Sequence, residues 1–124
     1  MNGVTWRMRI TGIILFACLV GLPGIDSVAD DPGDSSLTQG KQLVMARNKG
    51  NCLACHAIDD GELPGNLGPP LLSMQLRFPD KEVLRRQIWD ATERNPDSRM
   101  PPFGKNEILD DEEIDAIVDY LYSL

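Results

Sequence analysis

Apolar residues recur at helical spacing in several parts of the chain, most regularly near its C-terminal end. Four of them follow one another at positions i, i+3, i+4 and i+7, which places them along one face of a helix: Ile114, Ile117, Val118 and Leu121. Asp110 and Glu113 have the spacing of a capping box in front of this stripe, and Leu109 can pack on Ile114 as a hydrophobic staple. The pattern predicts an amphipathic helix that begins after Asp110 and runs to the C-terminus.

A second helix is predicted at the start of the folded part. Ser36 and Gln39 have capping-box spacing, and the helix that they would begin ends near Gly50. Gly40 costs such a helix about 1 kcal/mol relative to alanine. Either another helix approaches closely at Gly40, or the first turn is frayed.

A shorter middle helix is predicted between these two. Asp80 can cap it, it runs through Ala91, and Leu84, Ile88 and Ala91 share one face. No segment alternates in the manner of a strand. Residues 57–76 contain repeated glycine and proline, which predicts a long loop, and long loops in compact domains commonly surround a ligand. The predicted fold class is therefore all-α, with a few helices and long loops.

The N-terminal region has the organisation of a signal peptide. Arg7 and Arg9 precede an apolar stretch, residues 10–22, and Ser27-Val28-Ala29 forms a cleavage site of small residues. The apolar stretch is short for a bilayer-spanning helix, although retention as an uncleaved anchor is an alternative. We expect residues 1–29 to be removed near Ala29, the protein to be exported to the periplasm, and the mature form not to be bound to a membrane.

The mature chain divides into a short lead-in and one domain. Residues 30–37 are polar and acidic, which predicts a flexible lead-in, and residues 38–124 form the domain. Cleavage removes Arg7, Arg9 and Asp26, so the net charge changes from −7 to −8. This acidity argues against nucleic acid as a partner and favours solubility, with steering towards a basic partner as a weaker interpretation.

The chemistry is concentrated in Cys52-Leu53-Ala54-Cys55-His56. Two thiols at this spacing can each add to one vinyl group of a haem, and the adjacent His56 then lies below the iron as its proximal ligand. A redox dithiol and half of a zinc site are the alternatives. The redox dithiol lacks its βαβ context. A zinc site lacks ligands, because the third cysteine, Cys18, leaves with the signal peptide and His56 is the single histidine. We therefore predict one haem c, attached through Cys52 and Cys55.

The sixth ligand of the iron cannot be a second histidine of this chain. Met100 lies before Pro101 and Pro102, which keep the backbone extended and out of a helix, as suits a side chain directed at iron. Met74 is the second candidate, and filling of the core is the alternative for Met100. We predict His56 and Met100 as the axial ligands, and we find no catalytic residue.

Several other residues have candidate roles near the haem. A prolyl carbonyl in the segment from Asn66 to Leu71 can accept the free N–H of His56, although the same residues are typical of an ordinary turn. Two further sets of residues, four arginines and three aromatic residues, each have more than one possible role. Four arginines can either pair with propionates or remain solvated: Arg77, Arg85, Arg86 and Arg99. Three aromatic residues can pack at the haem edge, at an interface or in the core: Phe78, Trp89 and Phe103.

The order of these features resembles class I cytochrome c domains across nearly all of the mature chain. Within that class the chain is most similar to the SoxX family, the small cytochrome subunits of the sulfur-oxidation system. The similarity is carried by residues 50–56, by Gly68-Pro69-Pro70-Leu71, by residues 86–92, by Asn95-Pro96, by Met100-Pro101-Pro102-Phe103-Gly104 and by residues 113–122.

The resemblance implies a fold of a few helices and long loops wrapped around one covalently bound haem. It also implies a heterodimer with the cytochrome SoxA, called SoxAX, in the periplasm. SoxAX is an L-cysteine S-thiosulfotransferase that oxidatively joins thiosulfate to a cysteine of the carrier SoxYZ. On this reading the catalytic haem belongs to SoxA, and the present chain accepts the released electrons and passes them to a downstream cytochrome. A freestanding electron shuttle between respiratory complexes is the alternative.

Overall fold

The computed structural model describes residues 32–124, and the predicted signal peptide, residues 1–29, lies outside them. This part of the chain contains four α-helices and no strand. The helices are α1 (Pro32–Met45), α2 (Met74–Arg77), α3 (Lys81–Trp89) and α4 (Asp111–Tyr122). Short 3₁₀ turns occur at Cys52–Ala54 and Ala91–Glu93. The all-α prediction is confirmed.

Helix α4 begins as its sequence predicts. The Asp110 side chain accepts the Glu113 N–H at 2.8 Å, and the Glu113 carboxylate accepts the Asp110 N–H at 3.2 Å. Leu109 and Ile114, the two residues of the predicted staple, are both buried. The remaining residues of the apolar stripe are also buried, so one complete face of α4 lies in the core: Ile117, Val118 and Leu121.

Helix α1 begins four residues before the predicted cap, at Pro32, so the predicted lead-in does not extend to residue 37. Proline is favoured in the first helical turn because an N–H group there would have no intrahelical acceptor, so its loss costs nothing. The acidic Asp34 in the same turn interacts favourably with the positive end of the helix dipole. The Ser36 hydroxyl does not cap the helix and donates to Asp119 on α4 at 2.8 Å. The helix also ends earlier than predicted, at Met45, after which turns lead to Gly50.

The middle of the chain departs from the prediction in two places. Asp80 caps α3 through the Glu82 N–H as expected, but the helix ends at Trp89 because Asp90 adopts an extended conformation. Ala91 is therefore buried from a separate 3₁₀ turn. The loop predicted over residues 57–76 ends at Ser73, because residues 74–77 form the single helical turn α2.

The core forms where α4 packs against α1, α2 and α3. Gly40 of α1 meets the backbone of α4, because a Cβ atom built at Gly40 would lie 2.1 Å from the Ala116 carbonyl oxygen. Of the two interpretations of Gly40, the close approach of another helix is confirmed. Val44 of α1 and Leu84 of α3 are buried in the same apolar cluster.

Polar contacts hold the other helices to α4 around this core. Arg85 of α3 forms 2.7 Å ion pairs with Asp111 and Asp115 of α4. Beside α2, the Ser73 N–H donates to the Leu124 carbonyl at 3.1 Å. None of the helices within residues 32–124 has the length and apolar character needed to cross a membrane.

The contact at Gly40 can be tested by a single methyl group. Gly40→Ala improves helix propensity by about 1 kcal/mol, but overpacking against a backbone that cannot move away costs about 1–3 kcal/mol. Because the added methyl group meets backbone at 2.1 Å, the overpacking cost lies at the upper end of this range, and we expect the free energy of unfolding of the holoprotein to fall by about 2 kcal/mol in urea titration.

Thr38→Ala is the matched control, because Thr38 lies on the exposed side of the same helix. It should change stability by no more than about 0.5 kcal/mol. A Gly40→Ala protein as stable as the wild type would show that the two helices do not approach this closely.

Candidate functional site

The two cysteines of the motif lie on a tight turn between α1 and the long loop. Asn51 adopts a left-handed conformation, φ 47°, and the chain then enters the 3₁₀ turn Cys52–Ala54. Asparagine tolerates this conformation better than most residues. Cys52 and Cys55 are both partly exposed and neither forms a disulfide. Both thiols are therefore available for covalent attachment.

The loop that follows the motif folds back over this turn. Gly65, Gly68 and Leu71 donate their N–H groups, at 2.8, 2.8 and 2.9 Å, to three carbonyls of the attachment segment: Leu53, Cys55 and Ala57. The loop of residues 57–73 thus covers the segment that carries the two cysteines and His56. The glycine-rich and proline-rich stretch that the sequence marks as a loop is what holds the cysteines and the histidine in place.

The imidazole of His56 has a fixed orientation. Its Nδ1 donates to the Pro69 carbonyl oxygen at 2.7 Å, which is the prolyl acceptor expected from the sequence. A Cβ atom at Gly68 would lie 2.2 Å from His56 Cε1, so the ring packs directly against the glycine backbone. With Nδ1 protonated and occupied, Nε2 carries the lone pair that can bind a metal.

Side-chain contacts anchor both ends of the attachment segment. On the N-terminal side, Lys49 pairs with Glu113 of α4 at 2.6 Å. On the C-terminal side, Asp59 accepts from Lys41 at 2.9 Å and from the Tyr120 hydroxyl at 3.1 Å. The Lys41 ammonium lowers the pKa of Asp59, and burial together with Asp59 raises the pKa of Tyr120 to about 12. The turn is therefore tied to the α1–α4 pair at two points.

The protonation of Cys52 argues against the redox-dithiol interpretation. Burial raises the pKa of this thiol to about 11. Redox-active Cys-x-x-Cys motifs depend on a lowered thiol pKa, because the thiolate is the attacking species. The zinc alternative lacks an assembled ligand set, since residues 32–124 contain no group of three His, Cys, Asp or Glu side chains placed to hold a metal ion.

The two candidate methionines lie in different surroundings. Met74 is only 2% exposed, and Arg77 donates to its sulfur at 3.5 Å. Met100 is partly exposed at the surface of the core, in an irregular segment where its N–H donates to Ser98 Oγ at 3.2 Å. Met100 is thus the less enclosed of the two, and its role as a ligand stays a prediction.

The other residues singled out in the sequence have distinct positions. Arg77 donates to the Pro70 carbonyl at 2.7 Å, next to the carbonyl that holds His56. Arg85 forms ion pairs with two aspartates of α4, whereas Arg86 and Arg99 are exposed. Phe103 is a core residue. Phe78 and Trp89 are partly buried against the core.

The ion pair between Asp90 and Lys105 was not predicted from the sequence. Asp90 is only 1% exposed, and it accepts from the Lys105 ammonium at 2.7 Å. The predicted middle helix, which runs through Ala91, includes Asp90, and no role is predicted for Lys105. Their separation of 15 residues matches no local motif, so the pair is visible only in three dimensions.

The residues of the motif fit a covalently held haem. Two unbridged thiols lie on one short turn, and an imidazole with its Nδ1 fixed by Pro69 follows immediately. The downstream loop and helix α2 add exposed apolar side chains, the chemistry needed against a porphyrin face: Leu63, Leu67 and Leu72 from the loop and Leu76 from α2. Cys52 and Cys55 would hold the group and His56 would bind its iron.

Comparison with known proteins agrees with this chemistry. The family model described as cytochrome c oxidase, cbb3-type, subunit III matches residues 35–121, which is most of the described chain. No curated protein matches the sequence. The matched region includes the attachment motif, the loop over it and most of helices α1 and α4. The chain therefore belongs to this cytochrome c domain family, and it is a class I c-type cytochrome that carries covalently bound haem c and transfers electrons.

Proposed function

We propose that this cytochrome is the electron-accepting subunit of a periplasmic SoxAX complex and that His56 and Met100 are its axial ligands. Haem iron supplies a one-electron couple, and His/Met ligation raises its potential. The observation that carries the proposal is a contact between two of the segments in which the chain is most similar to the SoxX family, residues 86–92 and Met100-Pro101-Pro102-Phe103-Gly104. The Gly104 N–H, from the segment that contains Met100, donates to the Trp89 carbonyl at 3.1 Å.

Two residues of this chain attach the haem, and others set the properties of its iron. Cys52 and Cys55 hold the group covalently, so that it is not lost outside the cytoplasm. Pro69 fixes the tautomer of His56 and strengthens it as a ligand through the Nδ1–H bond. Met100 would supply the second protein ligand of the iron. None of these residues binds or activates thiosulfate, so the catalytic haem is expected on SoxA.

The proposed reaction sets the number of electrons that the chain must carry. When the thiosulfate sulfur joins the carrier cysteine of SoxYZ, the thiol loses its proton, one S–S bond forms and two electrons are released. Because haem would supply a one-electron couple, each conjugation would require two electron transfers through this chain. A downstream cytochrome must therefore reoxidise the chain between them.

The proposal includes export. The predicted signal peptide of residues 1–29 would deliver the chain to the periplasm, where SoxA and SoxYZ are expected. The mature net charge of −8 suits a soluble chain that does not bind nucleic acid.

A freestanding shuttle between respiratory complexes is the second candidate. It is compatible with the family match, whose description names a cytochrome c oxidase subunit and no sulfur-oxidation protein. The two candidates differ in the partner. A permanent SoxA interface would bury at least about 1,200 Å² in total, whereas a shuttle docks transiently through a smaller area.

The ligand assignment is tested by two parallel variants. Met100→Ala should abolish the methionine-to-ferric-iron charge-transfer band and lower the reduction potential, because the thioether that favours ferrous iron is removed. Met74→Ala, which deletes a buried core side chain, should cost about 2–5 kcal/mol of stability and keep the band. Absorption spectroscopy and potentiometric titration of both holoproteins measure these effects.

The reverse pattern would contradict the assignment. A band that survives in Met100→Ala and disappears in a folded Met74→Ala protein would make Met74 the ligand.

The partnership is tested by reconstitution with purified SoxA and SoxYZ. The chain should co-elute with SoxA in equal amounts, and thiosulfate with SoxYZ should then reduce its haem. Carrier with its cysteine changed to serine is the control, because no S–S bond can form and no electrons are released.

Separate elution from SoxA, with no thiosulfate-dependent reduction, would rule out the subunit role and favour the shuttle. Thiosulfate conjugation by the isolated chain would also refute the proposal, because it assigns catalysis to SoxA.

A further inference from the structure

Asp90 is the one charged side chain of residues 32–124 that is fully buried. A carboxylate out of water is costly unless it is paired and hydrogen-bonded. Asp90 has these partners: its Oδ1 accepts the Thr92 N–H at 2.9 Å and the Thr92 hydroxyl, and its Oδ2 accepts the Lys105 ammonium at 2.7 Å. Lys105, more than half exposed, reaches inwards from the surface to make this contact.

The Asp90–Lys105 pair joins the two ends of the loop of residues 90–105, which contains Met100. Backbone hydrogen bonds join the same two ends of the loop. The Gly104 and Lys105 N–H groups both donate to the Trp89 carbonyl, at 3.1 and 3.3 Å. Backbone and side-chain contacts thus fix the two ends of one loop, with Met100 between them.

Between these ends, Ala91 is buried and the Arg94 guanidinium lies 5.8 Å from the centre of the Phe78 ring. Phe103 is buried in the core, and the Met100 N–H is held locally by Ser98. Within a loop of this length, the position of a side chain depends on how firmly the ends are closed, because an open loop has more conformations.

Stability alone is a weak explanation for such a pair. Replacing a buried ion pair by apolar residues of similar volume is often neutral or stabilising. What a charged, hydrogen-bonded contact adds is a defined geometry. A lone thioether that must meet a metal benefits from that geometry, because a ligand held in place pays less entropy on binding.

We propose that Asp90 and Lys105 form a clamp that positions Met100 for the iron, which makes both of them positioning residues. The proposal deepens the proposed function and rests on Met100 as the ligand. The Lys105 ammonium lowers the pKa of Asp90, which keeps the carboxylate charged at neutral pH. Opening the clamp should leave the haem attached and the fold intact, but let Met100 leave the iron more often.

Competition with imidazole measures this directly, because imidazole binds the ferric iron only when the methionine has left. In the holoprotein, Asp90→Asn and Lys105→Gln should each raise the affinity for imidazole about tenfold and weaken the charge-transfer band. Because both changes break one contact, the double variant should bind imidazole about as tightly as either single variant.

Asp119→Asn is the matched control. Asp119 pairs with Lys81 and with Ser36, and it joins α4 to α1 and α3 at a place remote in sequence from the Met100 loop. It should leave the imidazole affinity within about twofold of the wild type. Should Asp90→Asn fail to fold, Lys105→Gln still decides the question, because it changes only a largely exposed side chain.

Three results would overturn the clamp, and they are distinguishable. Wild-type imidazole affinity and band intensity in Lys105→Gln would refute the clamp alone. An effect of Lys105→Gln that persists in a Met100→Ala background would show that Lys105 does not act through Met100. Absence of the charge-transfer band from the wild type would refute the ligation itself, and the clamp with it.

Discussion

The hydrogen bond from His56 Nδ1 to the Pro69 carbonyl is the interaction on which the site depends. It can form only because the loop returns over the attachment turn and because Gly68 leaves room for the imidazole. Outer contacts of this kind commonly change metal affinity by about 10- to 100-fold. A glycine-rich and proline-rich loop, which on its own would be a stability cost, thereby becomes the support of the proximal ligand.

The remainder of the fold supplies a rigid frame for two loops. Helices α1 and α4 pack closely at Gly40, and the attachment turn is tied to them through Lys49 and Asp59. Helix α3 leads into the second loop, which carries Met100 and is closed at Asp90. Each loop thus carries one candidate ligand. The first loop fixes His56 through the Pro69 carbonyl, and the second loop, which carries Met100, is closed by the Asp90 carboxylate and Lys105.

The cap and apolar stripe of α4 and the close approach at Gly40 could be predicted from the sequence, whereas side-chain pairs between distant residues could not. The α4 capping box lies within four residues and could be predicted, as could a prolyl acceptor for the single histidine. The start of α1 was missed because the Ser36 hydroxyl bonds to Asp119, 83 residues away. The end of α3 was missed because Asp90 leaves the helix to meet Thr92 and Lys105. No periodicity encodes such pairings, so they require the folded chain.

Mass spectrometry of the exported protein tests the central claim most directly. The account predicts an intact mass that exceeds the processed polypeptide by one haem, and a single haem-bearing proteolytic peptide in which both Cys52 and Cys55 form thioether bonds. A polypeptide without haem, with these cysteines free, joined to each other or bound to zinc, would contradict the assignment of the chain as a c-type cytochrome.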